Sequence, residues 1–594
     1  MLRRAGSCWP TIGILLAVIP ICPHRAPNKL LLLEEYTVGV CIIHLNLLKM
    51  IYKGASKLTY FNSRRSAVVA KNGAVATSQP LAAQVGLQIL QKGGNAVDAA
   101  VATAAALNVL EPMSTGIGGD MFALIWMADT KKVTAINGSG HSAAGANPED
   151  VISKGYSSIP NNGPDAGLAV SVPGTVDGWH KCLERHGTMS LKEVLEPAIS
   201  YAENGYAVTD VIAYQWGESE AKLKQRPSGS EMLLNNKAPR QGDFIKLENL
   251  GKSLKTIAED GPEGFYKGDI ARKISNYVQS QGGWLTEEDL AKHSSDWDEP
   301  ICTDYRDVTV WECPPNGSGI AALMAMNIAE GFDIASMGPQ SADRYHYLIE
   351  SLKLGYADAL QYVADPRVTD VPIKGLLSKS YASGRREKIS PDRAITDVSY
   401  GKPVPNADTV YLTVADKDGN ACSFINSLYS GFGTGLVVPE TGIALQNRGS
   451  LFSLDSSHPN FLRGNKRPYQ TIIPAMATRN DEMWLSFGVM GGFQQPQGHL
   501  QVISNMVDFN MNSQQALDAL RFSVDIEETG AVRVEEDIDP KVVSELTRRG
   551  HEIKVVSGYK RIMFGGAQTV SRDPETGVLT AGSEPRKDGA AVGY

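Results

Sequence analysis

The sequence predicts an α/β (α+β) fold, a four-layer αββα sandwich with a helical insertion. Three observations predict it. Strand-like runs gather at both ends of the globular part, from Ser66 to about residue 140 and again after Thr409. Helical patterns fill the middle, from about 145 to 390. One helix, "NAVDAAVATAAALNVLEP", is apolar on nearly every face and so must be covered on all sides.

Each element has its signal. "AVVAKNGAVATS" reads as two short strands around an Asn-Gly turn. "QPLAAQVGLQILQKGG" follows as an amphipathic helix stopped at Gly93-Gly94. The apolar helix starts at a cap region around Asn95 or Asp98. "GIGGD" leads into "MFALIWMADTKKVTAING", two strands with a central turn. "SLKEVLEPAISYAENG", "LGKSLKTIAEDG", "IARKISNYVQSQGG" and "SADRYHYLIESLKLGYADA" are the inserted helices. "TVYLTVA", "ACSFINSL", "TGIALQN" and "MWLSFGVMGG" restore the strands, and the helices "GHLQVISNMVDFN" and "NSQQALDALR" follow.

Composition narrows the function. Apolar content of 42% and charged content of 21% are those of a soluble globular protein. A net charge of −8 with no long basic block argues against nucleic acid as a partner. Three of the seven cysteines, Cys8, Cys22 and Cys41, lie in the first 41 residues, and no CxxC pair or Cys/His cluster appears. Neither a zinc site nor a dense disulfide framework is expected, and no metal or cofactor is implied. No glycine-rich motif carries the acid or lysine of a nucleotide site, either at "GIGGD" or at "GVMGG".

Residues 1–60 form a targeting or anchor segment, or a mispredicted extension. Arg3 and Arg4 precede the apolar run "CWPTIGILLAVIPIC", which fits a signal peptide better than a spanning helix. The sequons at Asn137 and Asn316 both sit in NGSG turns placed near the site, where a glycan would obstruct it. The balance falls slightly to the cytoplasm, with secretion or membrane anchoring as the alternative.

The stretch "VPNADTVYLTVADKDGNACSFINSLYSGFGTG" concentrates the chemistry. "DKDG" is a strong hairpin signal. Pairing Ala415 with Asn420 and counting outward sets Thr409 opposite Asn426, with Ser427 one residue away, good to about one residue. "PVPNAD" before Thr409 is polar and flexible, which suits a segment that is cut.

These segments together resemble the gamma-glutamyltransferase family of N-terminal nucleophile hydrolases over roughly residues 66 to 594. The matching pieces are "GGNAVDAAVATAAALNVLEP", "GIGGDMFALIW", "VPGTVDGW", "PPNGSGI", "DKDGNACSF", "FGTG", "GIALQN", "RPYQTIIPAM" and "GGFQQPQ". The resemblance implies a precursor that cuts itself between Asp408 and Thr409. A large subunit, 66–408, and a small catalytic subunit, 409–594, would remain associated. It implies Thr409 as nucleophile, Ser427 as the hydroxyl bonded to it, and the N–H groups of Gly491 and Gly492 as the oxyanion hole. A threonine hydroxyl needs a base, and the free α-amino group of an N-terminal Thr supplies one on the same residue.

The departures concern substrate. The family's usual pocket clamps an α-carboxylate with an Arg whose position falls near Ser139, where His141 is the nearest candidate. It has an Asn where Tyr429 stands, a Gln and an Asp where Arg448 and Leu451 stand, and a serine pair where Gln470 and Thr471 stand. Asn447 completes the expected substrate-binding set. Losing the Asp and gaining Arg448 suits an acyl group with a carboxylate and no α-amine. This resembles the branch with oxamate amidohydrolase and dicarboxylic acylases. The expected substrate is therefore a small-molecule amide, gamma-glutamyl, glutaryl or oxamate-like. A true glutathione hydrolase and a non-catalytic membrane-anchored relative are the alternatives, and a homo-oligomer of the processed heterodimer stays open.

Overall fold

The computed structural model describes residues 65–396, 408–526 and 530–594. The apolar segment at 1–60 and the stretch 403–407 before the expected cut lie outside them.

Two seven-stranded antiparallel sheets face each other. One runs, edge to edge, Ala590–Gly593, Gly73–Thr77, Asp408–Asp416, Ala421–Tyr429, Asp120–Met127, Lys132–Gly138 and Asp296–Asp298. The other runs Val68–Ala70, Leu579–Ser583, Gly566–Arg572, Glu482–Met490, Ala475–Arg479, Val308–Glu312 and Ile301–Tyr305. Phe122, Leu124, Tyr411, Ile425, Met476 and Met490 fill the space between them. The alternate residues Val410, Leu412 and Val414 point outward to the helices Pro80–Gln91 and Ala96–Leu110. Leu485, Phe487 and Val489 point outward on the second sheet, toward Gly319–Ala329, Ala342–Tyr362 and Gln494–Val507. The period-2 alternation of the strands thus builds three apolar layers, and the αββα expectation holds.

All fifteen residues of Ala96–Leu110 are buried, as its uniform apolar face requires. Its N-terminus is closed by a capping box: Asn95 Oδ1 accepts from the Asp98 N–H at 3.1 Å, and Asp98 Oδ2 accepts from the Asn95 N–H at 2.8 Å.

Two expectations need correction. The strands around the Asn72-Gly73 turn do not pair with each other. Val68–Ala70 joins one sheet through Leu579–Ser583, and Gly73–Thr77 joins the other. The reason is the C-terminal strand Ala590–Gly593, which takes the edge of Gly73–Thr77, while Lys71 and Asn72 donate to the Tyr594 carbonyl. The middle of the chain is also less uniformly helical than its pattern suggests. The short strands between 296 and 312 supply an edge to each sheet. Among the described residues no helix is long and apolar enough to cross a membrane.

Candidate active site

The hairpin that carries Thr409 is set by its turn. Asp416 N–H donates to the Asn420 carbonyl at 3.0 Å, Gly419 N–H donates to the Asp416 carbonyl at 3.3 Å, and Gly419 takes φ +87°. This is a three-residue loop, Lys417 to Gly419, closed by a left-handed glycine, whereas pairing Ala415 with Asn420 left four residues in it. The ladder therefore starts at Ala415–Ala421 and sets Val410, not Thr409, opposite Asn426. The sequence count was one residue off for that reason.

A slip at the end of the ladder finishes the site. Between Val410–Asn426 and Asp408–Tyr429 the second strand carries one extra residue, a β-bulge. Thr409 lies on the strand face of Tyr411 and Thr413, toward the other sheet, and meets Ser427 there. The hydroxyl oxygens are 3.1 Å apart and both residues are buried. Beyond the bulge Tyr429 holds φ +79°, a conformation rare for a bulky side chain and frequent at functional sites. That backbone aims its N–H at Ser427 Oγ, at 2.8 Å.

Arg448 completes the group. It opens the 3-10 turn Arg448–Leu451 and is fully buried. Nη2 donates to Ser427 Oγ at 3.1 Å, Nη1 donates to Thr471 Oγ1 at 2.7 Å, and the guanidinium lies 4.5 Å over the Tyr429 ring. Among the described residues Nε has no hydrogen-bond acceptor. Burial pulls its pKa down to about 10, so the charge persists at neutral pH.

Asp120 is the residue that sequence reasoning did not single out. It ends the "GIGGD" motif and pairs with Ser427 in the sheet. Its carboxylate accepts from Gly140 N–H at 3.1 Å, Gln446 Nε2 at 2.9 Å and Gln470 Nε2 at 2.5 Å. Burial still pushes its pKa up to about 6, against the pull of Arg448 and these donors. A buried acid at a motif's end was the available signal.

Gly491 and Gly492 follow the strand Glu482–Met490 with φ +124° and +57°, values that favour glycine. Their carbonyls accept from Gln494 and Gln495, turning the chain into the helix Gln494–Val507. Among the described residues neither glycine N–H donates to a protein acceptor. Gly491 and Thr409 line one cavity of about 540 Å³, whose other walls include Tyr214, Arg533, Lys560 and Lys587.

The remaining expected residues divide. Thr471 and Gln470 join the group, the first through Arg448 and the second through Asp120. Asn447 ties the loop after Tyr429: Nδ2 donates to Ser430 Oγ at 2.6 Å and to the Asn161 carbonyl at 3.0 Å. His141 is held by Arg367, whose Nη1 lies 2.6 Å from Nε2, and burial keeps its pKa near 4. Arg467, buried, donates to the Ser139 carbonyl at 2.9 Å and so brings a guanidinium to the place where the sequence offered no Arg. Asn137 and Asn316 are buried and bonded to each other at 3.0 Å, which leaves no room for a glycan on either.

Folding also assembles a group that no sequence spacing displayed. His346, Glu350 and His551 bring ligand-type atoms within 4.8 Å of one another. His346 Nδ1 lies 2.8 Å from His551 Nε2 and Lys353 Nζ donates to Glu350 Oε1 at 2.9 Å, while among the described residues His551 Nδ1 has no hydrogen-bond partner and lies 3.9 Å from Glu350 Oε1.

Comparison with known proteins gives a consistent set. Residues 82–594 match the family described as Gamma-glutamyltranspeptidase. The "Glutathione hydrolase-like YwrD proenzyme" of Bacillus subtilis (strain 168) is 39% identical over 89% of this chain and 99% of its own length. The oxamate amidohydrolase proenzyme of Klebsiella pneumoniae is 32% identical over 89% of this chain and all of its own. The crystal structure of a cephalosporin acylase from Bacillus halodurans superposes with a TM-score of 0.83 at 45% identity, covering 90% of this chain and 97% of that one.

Proposed function

Since the chain belongs to the gamma-glutamyltranspeptidase family of N-terminal nucleophile hydrolases, we propose that Thr409 is its self-uncovered nucleophile and that its substrate is an amide of a carboxylate-bearing acyl group. The observation that carries the reading is the buried chain of contacts Thr409–Ser427–Arg448.

In the uncut chain Thr409 Oγ attacks the Asp408 carbonyl carbon. The peptide C–N bond breaks as the ester forms, and water then hydrolyses the ester. This leaves an Asp408 carboxylate on a large subunit and a free α-amine on a small one. In the mature enzyme that amine, with an ordinary pKa near 8, takes the Thr409 hydroxyl proton as Oγ attacks the substrate amide. The oxyanion forms against the N–H groups of Gly491 and Gly492. The C–N bond breaks, the ammonium returns its proton to the leaving amine, and an acyl-enzyme ester remains for water or a second amine.

Arg448 supports the substrate class. A guanidinium has five N–H donors, and two are committed to Ser427 and Thr471. A buried donor without an acceptor costs about 1–3 kcal/mol, which a substrate carboxylate would recover. Leu451, at the position of the family's usual Asp, offers an α-ammonium nothing. The test is a panel of amides of one chromogenic amine with glutaryl, oxalyl and gamma-glutamyl acyl groups. The reading predicts the highest kcat/KM for an acyl group without an α-amine. A gamma-glutamyl amide turned over well above the others refutes it.

A further inference from the structure

We propose that His499 and Glu312 are positioning residues for the oxyanion, fixing the strand end that presents the N–H groups of Gly491 and Gly492; this rests on those glycines stabilising the oxyanion formed at Thr409. Both side chains are fully buried. His499 stands in the second turn of the helix Gln494–Val507 and reaches back to the strand Glu482–Met490. The Val489 N–H, two residues before Gly491, donates to His499 Nε2 at 3.1 Å. An amide N–H can only donate, so Nε2 presents its lone pair and Nδ1 carries the proton. Nδ1 then donates to Glu312 Oε1 at 2.6 Å, and the carboxyl group fixes the tautomer that can hold Val489.

The sheet shows why such a hold is needed. Ala475–Arg479 pairs with Glu482–Met490 only as far as Phe487, so the last residues before the glycine turn lack that neighbour. The helix takes its place: Gln495 Oε1 accepts from the Ile473 N–H at 3.0 Å, and His499 accepts from Val489. Helix and strand are also in close contact, since a Cβ added to Gly498 would lie 2.5 Å from Val489 Cγ1. Beyond this hold the chain turns at Gly491 and Gly492, which have no side chains of their own to lock it. Glu312 Oε2 has no hydrogen-bond partner among the described residues. A buried carboxyl group so poorly satisfied costs stability, and what it secures here is a fixed imidazole.

The experiment compares His499→Leu and His499→Gln with wild type, per mole of cut enzyme. Leu fills the space without an acceptor, whereas the Gln amide oxygen can take the Val489 N–H in place of Nε2. The measurements are kcat and KM on a glutaryl amide, inhibition by glutarate, and inhibition by a boronic acid that carries a carboxylate. Thr409 Oγ bonds to that boron as the hydroxyl proton passes to the α-amine, and the boron becomes a tetrahedral anion. Leu should lower kcat and boronic acid affinity together by roughly 10- to 100-fold, short of the about 10²- to 10³-fold of losing an oxyanion donor outright, with KM and glutarate inhibition little changed. Gln should recover most of the loss. Unchanged kcat and boronic acid affinity in His499→Leu overturn the proposal. So does an equal weakening of boronic acid and glutarate, which marks a general loosening of the pocket, or a Gln variant as impaired as Leu. Should His499→Leu fail to fold, Glu312→Leu keeps the imidazole but frees its tautomer, and the same split is expected; an unchanged kcat there also overturns the proposal. Failure of the underlying reading looks different, since the wild type would then bind the boronic acid no tighter than glutarate.

Discussion

Asp120→Asn is expected to change how stability depends on pH. The carboxyl is fully buried, and its pKa rises from 3.8 to about 6. At about 1.4 kcal/mol per pKa unit this corresponds to roughly 3 kcal/mol between the two protonation states. The sign follows from proton counting. Between pH 4 and 6 the unfolded chain has lost this proton and the folded one has kept it, so stability falls as pH rises through the window and is level above it. The contribution is fully present below the unfolded pKa and gone above the folded one. Asn cannot ionise. It also presents an NH2 to donors that now meet a carboxylate, an offset of about 1–3 kcal/mol that does not vary with pH. The assay is denaturant unfolding at pH 4 and pH 7, in a Thr409→Ala background so that a single uncut chain unfolds in both proteins. The stability difference, variant minus wild type, should grow by roughly 2.5 kcal/mol in favour of Asn between the two pH values, since at pH 4 the unfolded carboxyl is already partly ionised. A difference that is the same at both would show that Asp120 titrates as an ordinary exposed acid, and the account of its burial against Gln446, Gln470 and Gly140 would be wrong.

Other expectations follow from single contacts. Gly491→Ala and Gly492→Ala, at φ +124° and +57°, should displace an oxyanion donor and lower kcat about 10²- to 10³-fold with little change in KM; steady-state kinetics on a chromogenic amide checks this. Gly419→Ala, at φ +87° in the hairpin turn, should cost about 1 kcal/mol and slow appearance of the two subunits on a denaturing gel. Trp179, fully buried with its Nε1 donating to Asn426 Oδ1 at 3.2 Å, should cost about 3–5 kcal/mol when cut to Ala, read as a lower unfolding midpoint.

The layers were legible because they rest on local patterns. The strand alternation around 409–425 and the uniformly apolar helix Ala96–Leu110 each dictate which side is buried. The short strands between 296 and 312 were not, since three to five residues beside long helices carry too little periodicity to register. The register at Thr409 was read to within one residue. Its error came from the loop, which closes on three residues because Asp416 pairs with Asn420, where the count left four. The bulge that brings Ser427 to Thr409 depends on pairing with two neighbouring strands, which is tertiary information. Thr409, Ser427 and the glycine pair became candidates through the family's motifs. Arg448 was found by departure from them, and the structure gives it contacts with Ser427 and Thr471 that spacing could not. His141 was placed by nearness along the chain, and its partner Arg367 lies more than two hundred residues away. Asp120 stayed hidden in a glycine-rich motif because its importance comes from burial, which a single sequence does not print beside an acid.

Self-cleavage before Thr409 and use of the uncovered residue as nucleophile stand or fall together. The direct measurement is the intact mass and N-terminal sequence of each chain in the purified protein, beside Thr409→Ala. Expected are a small subunit that begins Thr409-Val410-Tyr411, a large subunit that ends at Asp408, and a single uncut chain for the variant. A wild-type chain that stays whole, or a cut at another bond that Thr409→Ala leaves intact, would contradict it.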